Sequence, residues 1–149
     1  MRLLFICDGN TCRSPMAAAL AALSLPPGDS AASAGVGAQD GQPAAAPAVA
    51  ALAEAGGDLT RHRSRALTAA IAGEADIILT MAHRHLKQVA AIAPGARAMT
   101  MAAAAGEQGD IADPYGGDLP LYRATRDQLD CLLEKIIPRL PQLLARPNR

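Results

Sequence analysis

The stretch Cys7-Asp8-Gly9-Asn10-Thr11-Cys12-Arg13-Ser14-Pro15, directly behind the apolar run Leu3-Leu4-Phe5-Ile6, constrains this chain more than any other. A short apolar run bounded by turn residues predicts a buried central strand. Gly9-Asn10 is a turn dipeptide that tolerates positive φ. Ser14 suits a helix N-cap, and Pro15 suits the first helical position, where no N–H is missed. The predicted order is therefore strand, tight loop, helix. Such a loop wraps a row of backbone N–H groups, from Asp8 to Arg13, around a helix N-terminus, and that geometry binds a tetrahedral anion. Cys7 closes the strand with its sulfur toward the cradle, and Arg13 supplies a planar fork for two phosphate oxygens.

The spacing is informative as well as the residue types. A cysteine, five residues, then Arg13-Ser14 is the loop length that sets a sulfur beneath a phosphorus while the arginine reaches back over the same anion. Cations and helix N-termini favour the thiolate form of a cysteine, and Ser14 adds a hydrogen bond to it. A buried structural cysteine ahead of an ordinary turn is the plain alternative. It leaves the arginine and the anion-binding loop without a role.

With 149 residues, the chain is expected to form one domain over 1–149, large enough for a three-layer core. Fourteen basic and 14 acidic residues give a formal net charge of zero, so no electrostatic case exists for a nucleic-acid or anionic-membrane partner. No apolar run approaches the roughly 20 residues that span a bilayer. The segment before the motif is too short for a signal peptide, which makes the cytoplasm the expected location. Three cysteines make an odd count, against a disulfide framework. Cys7 and Cys12 lack the His or Cys partners of a zinc site.

Taken in order, helix is predicted from Pro15 to about Leu25, where Pro26-Pro27-Gly28 stops it. Ala31–Gly35 reads as a second strand, and Pro43 to Ala55 as a helix closed by Gly56-Gly57. The basic segment Arg61–Arg65 is either a solvated loop or a neighbour of the anion site. Thr68 caps a short helix to Gly73, Ala75–Thr80 is a clear strand, and helix follows from His83 to Ala93. His83 and His85 read as surface residues. Ala98–Met101 is the last strand, residues 102–118 form a long loop, and Leu121–Ile137 is the closing helix with Cys131 in its core face. Residues 139–149 read as a frayed tail. Strands alternating with helices predict an α/β fold: a three-layer sandwich with a central four-stranded parallel sheet and helices on both faces. Ligands bind outside the carboxyl ends of such strands, where Cys7 sits.

Cys7 to Pro15, the strand before it, Ser33-Ala34-Gly35-Val36, His62-Arg63-Ser64-Arg65 and Asp113-Pro114-Tyr115 together resemble the low-molecular-weight protein tyrosine phosphatase family. The resemblance runs along essentially the whole chain. Within that family, Thr11 and Asp113-Pro114-Tyr115-Gly116-Gly117 look most like the bacterial protein-arginine phosphatases. Tyrosine-specific members typically carry an aliphatic residue in place of Thr11 and a second tyrosine in place of Gly116.

Alone, Asp-Pro-Tyr-Gly-Gly is an ordinary turn. Beside the Cys7 loop, the resemblance implies that Asp113 is the general acid for the leaving group, then the base that activates water on a phosphocysteine intermediate. Cys7 is the expected nucleophile, Arg13 the holder of equatorial oxygens, and the N–H groups of Asp8, Gly9, Asn10, Thr11, Cys12 and Arg13 the preorganised field. No metal or other cofactor is called for, since the cradle itself neutralises the phosphate charge. The expected partners are phosphorylated proteins, with inorganic phosphate as product.

Substrate choice turns on Thr11 and on composition. A phosphotyrosine pocket presents flat aromatic walls, yet the chain has no Trp, one Phe and two Tyr. Tyr115 is a candidate wall. A phosphoarginine guanidinium suits Asp113 as acceptor. Cys12 has two open readings, a protective disulfide with Cys7 or simple packing. Arsenate reductase chemistry on this fold needs further cysteines after the third strand, and residues 80–112 contain none. A non-catalytic phosphate-binding module would require neither thiolate nor acid.

Overall fold

The computed structural model describes residues 1–145 and 147. Among them, β1 (Arg2–Cys7), β2 (Ser30–Gly35), β3 (Ile77–Thr80) and β4 (Ala98–Thr100) form one sheet. All pairs are parallel and the spatial order is β2-β1-β3-β4. The helices are α1 (Arg13–Ser24), α2 (Ala46–Glu54), α3 (Ala69–Gly73), α4 (His83–Ile92), α5 (Met101–Ala104), α6 (Leu119–Ile136) and α7 (Leu140–Ala145).

The continuous apolar run of β1 has a direct structural cause. Successive side chains point to opposite faces. Leu3, Phe5 and Cys7 enter one core with Met16 of α1, Leu52 of α2 and Leu129 of α6. Leu4 and Ile6 enter a second core with Ala72 of α3, Ile78 of β3 and Val89 of α4. Both faces are covered, as expected from the alternation of elements. The chain leaves β1 for β2 on one side and reaches β3 on the other. A crevice therefore opens at the carboxyl end of β1, where α1 begins after the loop that follows β1 and α4 begins just beyond β3.

Several boundaries differ from expectation. Helix α1 begins at Arg13, with Cys12 in the cap position and no side-chain cap. Ser14 is instead held inside the first turn by Cys7 and Asn10. Pro15 still falls where an N–H would have no intrahelical partner. The helix expected from Pro43 starts only at Ala46, because Ala45 N–H is drawn to Thr11 C=O at 2.9 Å. Met101 belongs to α5 rather than to a strand, since the Thr100 side chain accepts from Ala103 N–H at 3.0 Å and turns the chain. The closing helix begins early, at Leu119, with Asp118 as its cap.

The expected frayed tail needs the largest correction. Pro138 sits in a 3₁₀ turn, Ile137–Arg139, and α7 follows with Leu140 and Leu143 buried. Each buried leucine stabilises by roughly 1.5–3 kcal/mol, which outweighs the missing N–H of one proline. The rest of that expected tail, residues 146, 148 and 149, lies outside the described residues. Cys131 is exposed, not core, while Leu129, Leu132, Leu133 and Ile136 bury the inward stripe. No helix among the described residues is long and apolar enough to cross a membrane.

Candidate active site

The loop between Cys7 and Arg13 is built around Asn10, the one non-glycine residue with positive φ (57°) among those described. Asparagine tolerates that region better than most residues. Its buried amide donates to Ser14 Oγ at 2.8 Å and to Ser33 Oγ at 2.9 Å, and Oδ1 accepts from Arg65 N–H at 3.0 Å. His62 Nε2 lies 2.7 Å from Asn10 C=O, which requires the proton on that nitrogen. The basic segment Arg61–Arg65 is thus a neighbour of the loop, buttressing it from below. Gly35 supplies a close approach: a Cβ there would stand 2.4 Å from Asp8 C=O.

Five carbonyls of the loop are engaged by groups around it. Those of Cys7, Asp8, Thr11 and Cys12 accept from Val36, Gly37, Ala45 and Met16 N–H, and that of Asn10 meets His62. By contrast, the backbone N–H groups from Asp8 to Arg13 donate to no group among the described residues. A run of unpartnered donors at a helix N-terminus is an oxyanion site in waiting. Arg13 adds to it. Its buried Nε has no hydrogen-bond partner, its Nη1 donates to Ile111 C=O at 2.7 Å, and its Nη2 donates to Asp8 Oδ2 at 3.1 Å.

Cys7 is buried, with Sγ 2.9 Å from Ser14 Oγ. Cys12 is also buried, and its Sγ lies 3.1 Å from Tyr122 Oη. Burial pushes the Cys12 thiol up, with the Tyr122 hydrogen bond working against it. All three cysteines are free thiols.

The Asp113 segment is pinned where it enters the site. Ile111 N–H bonds Met81 C=O at 2.9 Å, while Ile111 C=O holds Arg13. Beyond it, Gly117 N–H closes a turn on Pro114 C=O at 2.8 Å, with Gly116 at φ +82°. This places Asp113 Oδ2 3.6 Å from Arg13 Nη2, with its side chain 46% exposed. Tyr115 stands 76% exposed at the rim. One pocket of about 240 Å³ is lined by Cys7 through Arg13, Asp113 and Tyr115. Of the site residues expected from sequence, only Ser14 is outside that lining. It lies beneath, against Cys7.

Sequence reasoning missed Arg84 and His85. Arg84 Nη1 donates to Asp8 Oδ1 at 2.7 Å, and its Nη2 to Asp8 Oδ2. His85, expected at the surface, is fully buried. Its Nδ1 accepts Ala82 N–H at 3.1 Å, so Nε2 carries the proton that points to Asp8 Oδ1 at 3.2 Å. Arg84 foremost, with His85, holds the Asp8 carboxyl down at about 2. Burial pushes His85 down despite the Asp8 charge. A side chain at the third helical position reaching back to the cap N–H is a known start signal, and His85 has that position. No cluster of metal-ligating side chains forms among the described residues.

The model of the family described as low molecular weight phosphotyrosine protein phosphatase matches residues 2–146. The chain belongs to this family. It is accordingly a protein phosphatase. It is 40% identical over 142 residues to a protein-arginine-phosphatase of Geobacillus stearothermophilus, covering 93% of this chain and 95% of that one. It is 37% identical over 141 residues to the probable low molecular weight protein-tyrosine-phosphatase EpsP of Ralstonia nicotianae, covering 95% and 97%. The solved structure of a YwlE arginine phosphatase mutant with a phosphorylated active-site serine in place of cysteine superposes with a TM-score of 0.87. Identity there is 35%, over 95% of this chain and 97% of that one. Among its low-molecular-weight relatives, both arginine and tyrosine phosphatases therefore stand at similar distance.

Proposed function

We propose that this chain hydrolyses phosphoarginine in proteins, through a phosphocysteine formed on Cys7. The observation that carries the chemistry is the run of unpartnered N–H groups, Asp8 to Arg13, that shares one pocket with Cys7. Cys7 Sγ attacks phosphorus and the S–P bond forms as the P–N bond breaks. Asp113 gives its proton to the departing guanidine nitrogen. The loop N–H groups and Arg13 hold the three equatorial oxygens while charge shifts across them. Asp113, now a carboxylate, takes a proton from water, which attacks the phosphocysteine and releases inorganic phosphate. The phosphorylated serine in the YwlE mutant supports this role for the residue that closes β1.

Thr11 supports the arginine substrate. It lines the pocket with a small hydroxyl in place of an aliphatic wall. One observation favours phosphotyrosine instead: Tyr115 is exposed at the rim and available to an aryl ring. The deciding experiment is kcat/KM on phosphoarginine and phosphotyrosine peptides for the wild type and Thr11→Ile. A phosphoarginine preference that falls or inverts in the variant is expected. A phosphotyrosine preference untouched by the substitution would make this a tyrosine phosphatase with Thr11 as a packing residue. We read the chain as one catalytic domain working on cytoplasmic phosphoproteins.

A further inference from the structure

Asp8 is an awkward neighbour for a phosphate. It follows the nucleophile, lines the pocket, and its Oδ2 lies 3.1 Å from Arg13 Nη2. The same nitrogen is 3.6 Å from Asp113 Oδ2. Two carboxylates therefore flank the guanidinium that must hold a multiply charged anion. With its full charge uncompensated, Asp8 would bind Arg13 more strongly than it already does and repel the incoming phosphate.

Two side chains from the start of α4 meet Asp8. His85 donates from Nε2, but its Nδ1 is occupied by Ala82 N–H. Protonation there would break that bond, so His85 orients Asp8 as a neutral donor and cancels no charge. Arg84 is the cation. Its two terminal nitrogens fork across both carboxylate oxygens, the geometry in which Arg and carboxylate match best. The neighbouring Asp110 is engaged with His83, whose Nδ1 lies 3.0 Å from Asp110 Oδ1.

We infer that Arg84 is a positioning residue for phosphate binding, neutralising Asp8 so that the charge of Arg13 is left for the substrate. Neither residue type nor spacing in the loop motif points to it. The inference rests on the phosphatase reading of the site but not on whether the substrate is phosphoarginine or phosphotyrosine. Arg84 is 59% exposed on α4, so its removal opens no cavity and the variant keeps its core.

The test compares wild type, Arg84→Ala, Arg84→Lys, Asp8→Asn and the double variant Asp8→Asn/Arg84→Ala. The probes are inorganic phosphate as competitive inhibitor and an aryl phosphate as substrate, at low and high salt. Loss of Arg84 should raise the phosphate Ki and the KM roughly tenfold and leave kcat nearly unchanged, the pattern of lost uniform binding. High salt should shrink that loss, because exposed charges are screened. Arg84→Lys should retain most of the affinity. Asp8→Asn should lower the phosphate Ki, and the double variant should recover to within about twofold of wild type. A merely structural Arg84 would give no recovery. An unchanged Ki in Arg84→Ala, or a double variant as weak as that single one, overturns the inference. A wild type with turnover blocked by Cys7→Ser but no competition from phosphate would overturn it while leaving the phosphatase reading standing. Absence of any Cys7-dependent turnover would instead sink both.

Discussion

At the scale of single residues, the proposed mechanism separates groups that would act on the phosphate from groups that hold those groups still. Asp113 belongs to the first kind. Asp113→Asn should lower kcat on the preferred phosphopeptide by about 10²–10⁴, the range for a lost general acid, with little change in the Ki of inorganic phosphate. A parallel loss of phosphate affinity would place Asp113 in binding instead. His85 belongs to the second kind. It is buried, neutral, and its proton affinity is pushed down by burial, whereas the unfolded imidazole titrates near ~6.5. The unfolded chain therefore binds more protons below that value, and stability should fall as pH drops through it. Thermal midpoints measured from pH 7.5 to 5.5 should decline, and His85→Gln should flatten the decline. Asp8 has its own lower window. Its carboxyl is held at about 2, so the stability it adds is present above its unfolded value near ~3.9 and is lost as pH falls toward 2.

At the scale of elements, β1, β2 and the two loops above them form a single clamp. Gly35 ends β2, and its N–H bonds Arg65 C=O while its own C=O accepts Leu67 N–H. There is no room for a side chain between this strand end and the phosphate loop. Gly35→Ala places a carbon 2.4 Å from Asp8 C=O and 3.1 Å from Asn10 Cβ, so backbone must move. We expect a lowered melting temperature together with a larger loss in kcat/KM, because the displaced atoms belong to the loop proposed to hold the phosphate. Retained kcat/KM would mean the loop tolerates the shift. The same elements show what was legible early. Strand β1, the loop and α1 follow from one stretch of residues, since an apolar run, a positive-φ dipeptide and a proline each act locally. The Asp113 turn was legible only beside the loop, because Asp-Pro-Tyr-Gly-Gly by itself encodes no more than a bend.

At the scale of the whole molecule, the C-terminal turns complete the core that carries α1. Leu140 and Leu143 join the cluster containing Phe5, Met16 and Leu129, and Arg97 Nη1 donates to Leu143 C=O at 2.7 Å. Leu140→Ala should cost about 2–5 kcal/mol, the range for a truncated core leucine. Leu23→Ala, at a 54% exposed position, should stay within ~0.5 kcal/mol. Urea midpoints separate the two, and an equal, small effect would return the tail to a surface role. By itself the sequence determined the alternating α/β order and the tight loop from Cys7 to Arg13 at the end of β1, while Asp113 and Tyr115 came in only through the family resemblance. The order and the loop follow from period, spacing and turn chemistry, which act over a few residues. Tertiary structure alone decided that His85 is buried, that Cys131 is exposed, that α7 packs, and that Arg84 meets Asp8 across 76 residues of chain. Such pairings depend on which faces the sheet brings together, and no local pattern carries that information.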